Sequence, residues 1–126
     1  MLKKITLAAA VAMTCLSGVA FADAPAKVVD TAAGKVLVDA KGMTLYTFAK
    51  DSAGKSACNG PCASNWPPLP AAAGAKASDG YSIVTRDDGS QQWAYKNMPL
   101  YSWVKDSKPG DTSGDGVNQV WHVAKP

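Results

Sequence analysis

The chain has 126 residues, a formal net charge of +3, three cysteines, one histidine, four tryptophans and no glutamate. That length bounds a single small domain with a modest core. Without residues 1–22 the balance is 11 basic against 10 acidic residues, a net charge of +1, which leaves no basic stripe for a nucleic acid and sets that class of partner aside.

The N-terminus reads as a secretory signal. Lys3 and Lys4 form its positive end, residues 5–12 its mostly apolar run, and Ala20, Phe21 and Ala22 an A-x-A cleavage site. Cleavage is expected after Ala22, leaving 23–126 as a periplasmic or secreted chain. The apolar run falls short of the ~20 residues a membrane span needs, so the mature chain is expected to have no transmembrane span. Cys15 lacks the usual leucine three positions upstream, where Ala12 stands, and no lipid is assigned to it.

Beyond the signal, short β-branched and aromatic runs alternate with glycine-containing turns. Strands are expected over 27–30, 36–39 and 44–48, with turns at Ala33-Gly34 and Lys41-Gly42. A helical turn is placed at 61–65, and the Ala-rich segment 71–77 is read as a linker. Strands follow over 81–86, 91–95, 100–104 and 119–123, with turns at Asp87-Asp88-Gly89 and Lys96-Asn97. No window carries a long 3.6-residue period.

Residues 41–52 (KGMTLYTFAKDS) and 96–107 (KNMPLYSWVKDS) repeat at an offset of 55, and the offset also pairs Gly34 with Gly89 and Trp66 with Trp121. An internal repeat of this kind means one unit duplicated. The expected fold is therefore all-β: one small domain of two pseudo-symmetric β-meander repeats, about 26–71 and 81–126, sandwich- or barrel-like. Features present in one copy alone become the specialised ones.

Within each repeat, residues two apart on a strand share a face. Tyr46 and Phe48 therefore point together, as do Tyr101 and Trp103, with Leu45 and Leu100 on the opposite face. Asp51 and Asp106 open polar loops whose backbone N–H groups they can accept. On these residues the chain resembles the bacterial predicted lipoproteins, or secreted-repeat proteins, that carry a Tyr-x-(Phe/Trp/Tyr)-x-x-Asp motif. Tyr46, Phe48 and Asp51 fit it once; Tyr101, Trp103 and Asp106 fit it again. Ser56, Cys58, Cys62, Ala63, Trp66, Pro67 and Pro68 resemble that family's Ser-x-Cys…Cys-Ala…Trp-Pro-Pro segment. The resemblance implies an exported bacterial protein and no particular activity, and the poor lipidation signal departs from the lipoprotein label.

Other chemistry is weighed residue by residue. Cys58 and Cys62, the two cysteines left after export, are expected to pair. Three residues separate them where the redox motif has two, which favours a local structural bridge. Asp106, Asp111 and Asp115 on a glycine-rich loop suit Ca²⁺ chemically but not in EF-hand spacing. His122 with Met43 and Met98 could hold soft Cu(I), although buried methionine filling gaps is the commoner use. No metal or cofactor is assigned, and no catalytic constellation is visible. Trp66, Pro67, Pro68 and Trp121 form a candidate binding surface if exposed, and core if buried. The reading is an exported, non-enzymatic binding or structural module whose partner is an envelope protein, a glycan or a small ligand. A metal-binding or redox-linked periplasmic protein is the alternative.

Overall fold

The computed structural model describes residues 25–126, so the signal segment 1–22, its cleavage point and Cys15 lie outside the described residues. The chain runs β1 (Lys27–Thr31), β2 (Gly34–Val38), β3 (Tyr46–Phe48), α1 (Pro61–Asn65), β4 (Tyr81–Thr85), β5 (Gln91–Tyr95), β6 (Met98–Pro99) and β7 (Trp121–Val123). The strands make three small antiparallel sheets, β1-β2, β3-β7 and β4-β5-β6. Single bridges at Val38–Thr44, Tyr46–Tyr101, Pro68–Tyr101 and Pro70–Gln92 join them. The domain is all-β apart from α1 and a 3₁₀ turn at Val117–Gln119.

The repeats are interlocked. The central strand β3 of the first repeat pairs with β7 at the end of the second, Tyr46 opposite Val123 and Phe48 opposite Trp121. The second repeat returns the exchange: Leu69 N–H donates to Leu100 O, Ser102 N–H to Pro67 O and Val104 N–H to Asn65 O. Tyr46 and Tyr101 meet at the pseudo-two-fold, exchanging both backbone hydrogen bonds at 2.7 and 3.0 Å. Sheets β1-β2 and β4-β5-β6 each lie within one half, and the shared sheet β3-β7 with the Tyr46–Tyr101 bridge ties the two repeats together.

The strand expected over 100–104 does not form as a regular strand; Tyr101 makes isolated bridges instead. The cause lies in its partner. β3 faces Trp121, His122 and Val123, all with N–H groups, whereas 100–104 faces Pro67 and Pro68, which have none to return. The same motif is therefore a strand in one repeat and an irregular extended segment in the other.

The offset of 55 does not hold throughout. Leu37 donates to Ala124 O and accepts from Leu45; Trp93 donates to Leu69 O and accepts from Leu100. Those partners are 55 apart, so Leu37 corresponds to Trp93, an offset of 56. The second hairpin turn is one residue longer, and the next turn, Lys96-Asn97 with both φ positive at 51° and 68°, is one shorter. Gly34 therefore matches Ser90 and not Gly89, and Lys41 has no structural counterpart in Lys96. Trp66 and Trp121 remain equivalent.

Two apolar clusters result. One holds Val36, Val38, Tyr46, Phe48, Trp66, Tyr101, Trp121 and Val123; the other holds Ala26, Leu37, Leu45, Leu100 and Ala124. Thr44 is 1% exposed, and its hydroxyl has no partner among the described residues. A buried, unpaired hydroxyl costs roughly 1–3 kcal/mol. Thr44→Val, which keeps the shape, is expected to raise stability by about 1 kcal/mol and Tm by roughly 5 °C. A lower melting temperature in calorimetry would show that Thr44 has a partner.

Candidate functional site

The duplicated motif forms the centre of the molecule. Tyr46 and Tyr101 are 0% exposed. The Tyr46 hydroxyl donates to Asp106 Oδ2 at 2.7 Å, and the Tyr101 hydroxyl donates to Asp51 Oδ2 at 2.7 Å. Each tyrosine thus bonds the aspartate of the other repeat. The aspartates also hold their loops. Asp51 Oδ1 accepts from Ala57 N at 2.6 Å, and Asp106 Oδ1 accepts from Ser113 N at 3.0 Å and Ser113 Oγ at 2.6 Å.

Around this crossing runs a column of four rings. Phe48 stacks on Trp121 (4.2 Å), Trp121 on Trp66 (3.8 Å) and Trp66 on Trp103 (3.9 Å). The column reads the same under the pseudo-two-fold, because Phe48 corresponds to Trp103 and Trp66 to Trp121. Tyr46 and Tyr101 set their edges against Trp66 and Trp121 at 5.4 and 5.1 Å. Such ring pairs add about 1 kcal/mol each beyond their buried area. Trp66 and Trp121, 4% and 3% exposed, are therefore core and not a binding platform. Pro67 and Pro68 remain half-exposed beside them. Only the margins of Trp66 and Trp121 reach a cleft of about 440 Å³, shared with Lys50, Cys62, Asn65 and Asn118.

Burial pushes both phenols above the ordinary tyrosine value of 10.0, and the aspartate each one bonds pushes further. A phenol held neutral in the fold stabilises it fully below the unfolded-state pKa, and that stability is lost as pH rises above about 10. The protein is accordingly expected to unfold in alkali above about pH 10, with Tyr46 and Tyr101 ionising only as the fold opens, followed by absorbance at 295 nm. Ionisation of Tyr46 and Tyr101 in the still-folded protein would contradict the buried pairs.

The second side of the crossing carries a polar network that the first side lacks. Arg86, 5% exposed, donates through Nη1 to Ser56 Oγ at 3.0 Å and to Gln92 Oε1 at 2.7 Å. Its Nη2 donates to the Cys58 carbonyl and, at 3.5 Å, to Asn59 Oδ1. Ser56 Oγ also accepts from Cys58 N, so its own proton goes to Tyr101 Oη, 2.6 Å away, and Tyr101 donates on to Asp51. An ordered relay thus connects the guanidinium to the carboxylate. Burial raises the Asp51 pKa, against the pull of Ala57 N–H, Tyr101 and Arg86. Across the pseudo-two-fold, Val36 stands where Gln92 stands here. Arg86 and Gln92 lie outside the duplicated motif, and Ser56 beside it, so no motif marks this network in the sequence. The signal for it is that Arg86 is the only arginine beside twelve lysines, and a rigid five-donor fork is chosen where geometry matters.

Cys58 and Cys62 are disulfide-bonded, with Cα atoms 5.2 Å apart. The bridge staples α1 to the loop that Arg86 clamps. The acidic loop is used locally. Asp111 Oδ2 accepts from Ser107 N and Oγ and from Lys108 N, and these bonds, with the Lys108 ammonium on Oδ1, hold its carboxyl down at about 2. Asp115 accepts from Val123 N. Asp106, Asp111 and Asp115 thus serve three separate backbone segments, and no group of three His, Cys, Asp or Glu side chains converges among the described residues. His122 is exposed opposite Thr47, while Met43 and Met98, half-buried, close equivalent turns.

A third feature lies on the second hairpin. Tyr81, Ile83, Trp93 and Tyr95 share one face of β4-β5, all half-exposed. The rings of Tyr81 and Tyr95 lie 4.8 Å apart, and those of Tyr81 and Trp93 6.3 Å. The equivalent positions of the first repeat are Ala26, Val28, Leu37 and Asp39, so the aromatic face belongs to one copy alone. Trp93 borders a cleft of about 530 Å³ under segment 74–78, and Tyr95 borders another of about 210 Å³.

Among the described residues no helix is long and apolar enough to cross a membrane. No curated protein and no solved structure matches the chain. A family profile described as a secreted repeat of unknown function matches it twice, over residues 27–70 and 82–125. Those two spans are the interlocked halves that exchange strands at Tyr46 and Tyr101, and the chain belongs to this family of secreted repeats.

Proposed function

We propose that this chain is an exported, non-enzymatic binding module of the bacterial cell envelope, released by cleavage after Ala22, which presents the aromatic face of its second hairpin to a ligand. The observation that carries the reading is the asymmetry of that face. Tyr81, Trp93 and Tyr95 stand half-exposed where the first repeat has Ala26, Leu37 and Asp39. The three rings pack one side against the Ala26, Leu37, Leu45, Leu100 and Ala124 cluster and keep the rest part-exposed, and exposed aromatic patches rimmed by polar groups mark interaction sites. The Tyr–Asp centre supports the same reading from the other side. Its hydroxyls and carboxylates are all engaged internally, which makes it the lock between repeats.

The test is a binding screen of the exported 23–126 chain against envelope glycans and proteins, with Trp93→Leu as the comparison. That substitution installs the residue found at Leu37, the equivalent position, so the fold is expected to persist. Loss of binding with an unchanged melting curve supports the reading; equal binding by both proteins sinks it. The redox-linked alternative draws on Cys62, whose side chain borders the cleft beside Lys50, Trp66 and Trp121. It predicts that ligand or partner capture changes when the disulfide is reduced.

A further inference from the structure

Resting on the aromatic face just proposed, we infer that its ligand is an acidic polysaccharide, recognised by ring stacking together with lysine–carboxylate pairing. The two clefts that flank the face carry the same charge. Lys76 lines the one beside Trp93; Lys96 and Lys125 line the one beside Tyr95. No carboxylate lines either. The nearest one in sequence, Asp79, is exposed in the turn before Tyr81. In a domain whose mature net charge is only +1, three lysines around two clefts with no acid on their walls are a local positive bias, which selects an anionic ligand.

The chemistry of the rings narrows the anion. The floor beside Tyr95 is apolar, formed by Met98, Leu100, Val123 and Ala124. A pyranose has an apolar C–H face that packs against the electron-rich face of an aromatic ring, while its hydroxyls stay in water. Trp93 and Tyr95, two apart on β5, are about 7 Å from one another along the strand, so one extended ligand spans both. The Lys96 ammonium lies over the Tyr95 ring, 5.3 Å from its centre, and holds that ring face, so the sugar stacks on Trp93 and a carboxylate on the adjoining unit pairs with Lys96 at Tyr95. The Lys125 ammonium donates to Ala33 O and keeps further donors for a ligand. An acidic peptide would use the lysines and leave the part-exposed sides of the three rings unused.

Calorimetric titration of the 23–126 chain with oligogalacturonate, with its neutral methyl ester and with poly-aspartate separates the possibilities. The acid oligomer is expected to bind, with an affinity that falls as salt rises. Loss of two exposed ion pairs is worth about fivefold, so the ester, and the acid oligomer on Lys96→Gln/Lys125→Gln, should each bind about fivefold more weakly. Trp93→Leu should abolish binding of both oligomers. Equal affinity for acid and ester would overturn the charge inference and leave the binding face standing. Binding of neither oligomer would overturn the glycan inference and count against the face itself. Poly-aspartate competing as well as the acid oligomer would overturn it in favour of a charge patch that reads any polyanion.

Discussion

Gly114→Ala is expected to lower stability by about 3 kcal/mol, a drop of roughly 15 °C in Tm for a domain of this size. A Cβ on Gly114 would lie 2.8 Å from Trp66 Cη2 and 2.9 Å from Tyr46 Cζ. Gly114 has no positive φ, so the effect is steric and not conformational. Neither neighbour can yield easily. Trp66 is clamped between Trp103 and Trp121 at 3.9 and 3.8 Å, and Tyr46 is tied to Asp106. Displacing the Gly114 backbone instead would break its own N–H bond to the Tyr46 hydroxyl, now 3.2 Å long. Gly110→Ala is the control: open space surrounds its Cβ position, but φ is +89°, so it should cost about 1 kcal/mol through backbone strain alone. Thermal melts of the two variants decide the matter. Equal losses would mean that the crossing is loosely packed.

Arg86→Ala is expected to cost still more, about 4 kcal/mol. The substitution leaves the Gln92 amide oxygen and the Cys58 carbonyl buried without their donor, and it removes one donor from Ser56. Each unmade buried bond costs roughly 1–3 kcal/mol. It also empties the space of a long side chain packed against the disulfide loop. Arg86→Lys should recover less than half, because one ammonium cannot serve acceptors on both arms of the fork. A loss under about 1 kcal/mol for the alanine variant would show that water replaces the guanidinium and that the network is ornamental to stability. The effect should stay with the first repeat's loop, where Lys55 and Asn59 also reach across to Asp87 at 3.2 Å.

Much of this architecture was legible in the residues. The turns at Lys41-Gly42 and Lys96-Asn97, the helical turn at Pro61–Asn65 and strand β5 follow from local chemistry, because glycine, proline and β-branched residues restrict the backbone wherever they stand; the first hairpin turns at Ala32 and Ala33, with Gly34 already in β2. The two halves were legible for a similar reason: Met43, Leu45, Tyr46, Lys50, Asp51 and Ser52 recur as Met98, Leu100, Tyr101, Lys105, Asp106 and Ser107, and duplicated spacing needs no knowledge of contacts. Tyr46 with Phe48 on one face and Leu45 on the other also follows from strand period alone, and the two apolar clusters divide in that way.

What could not be read was every relation between segments distant in the chain. Nothing local says that Tyr46 bonds Asp106 and not Asp51, because the exchange depends on β3 pairing with β7 across the pseudo-two-fold. The failure of 100–104 as a strand comes from prolines more than thirty residues away. The burial of Trp66 and Trp121 depends on the stacking of both repeats into one column, and the half-exposure of Tyr81, Trp93 and Tyr95 on their lying outside it. Sequence therefore specified the unit, most of its turns and the faces of its strands, all set by steric and hydrophobic preferences acting within a few residues. Packing specified which unit completes which, which aromatic rings are core and which stay half-exposed, because burial and hydrogen-bond partnership belong to pairs of segments and come into being when the chain closes on itself.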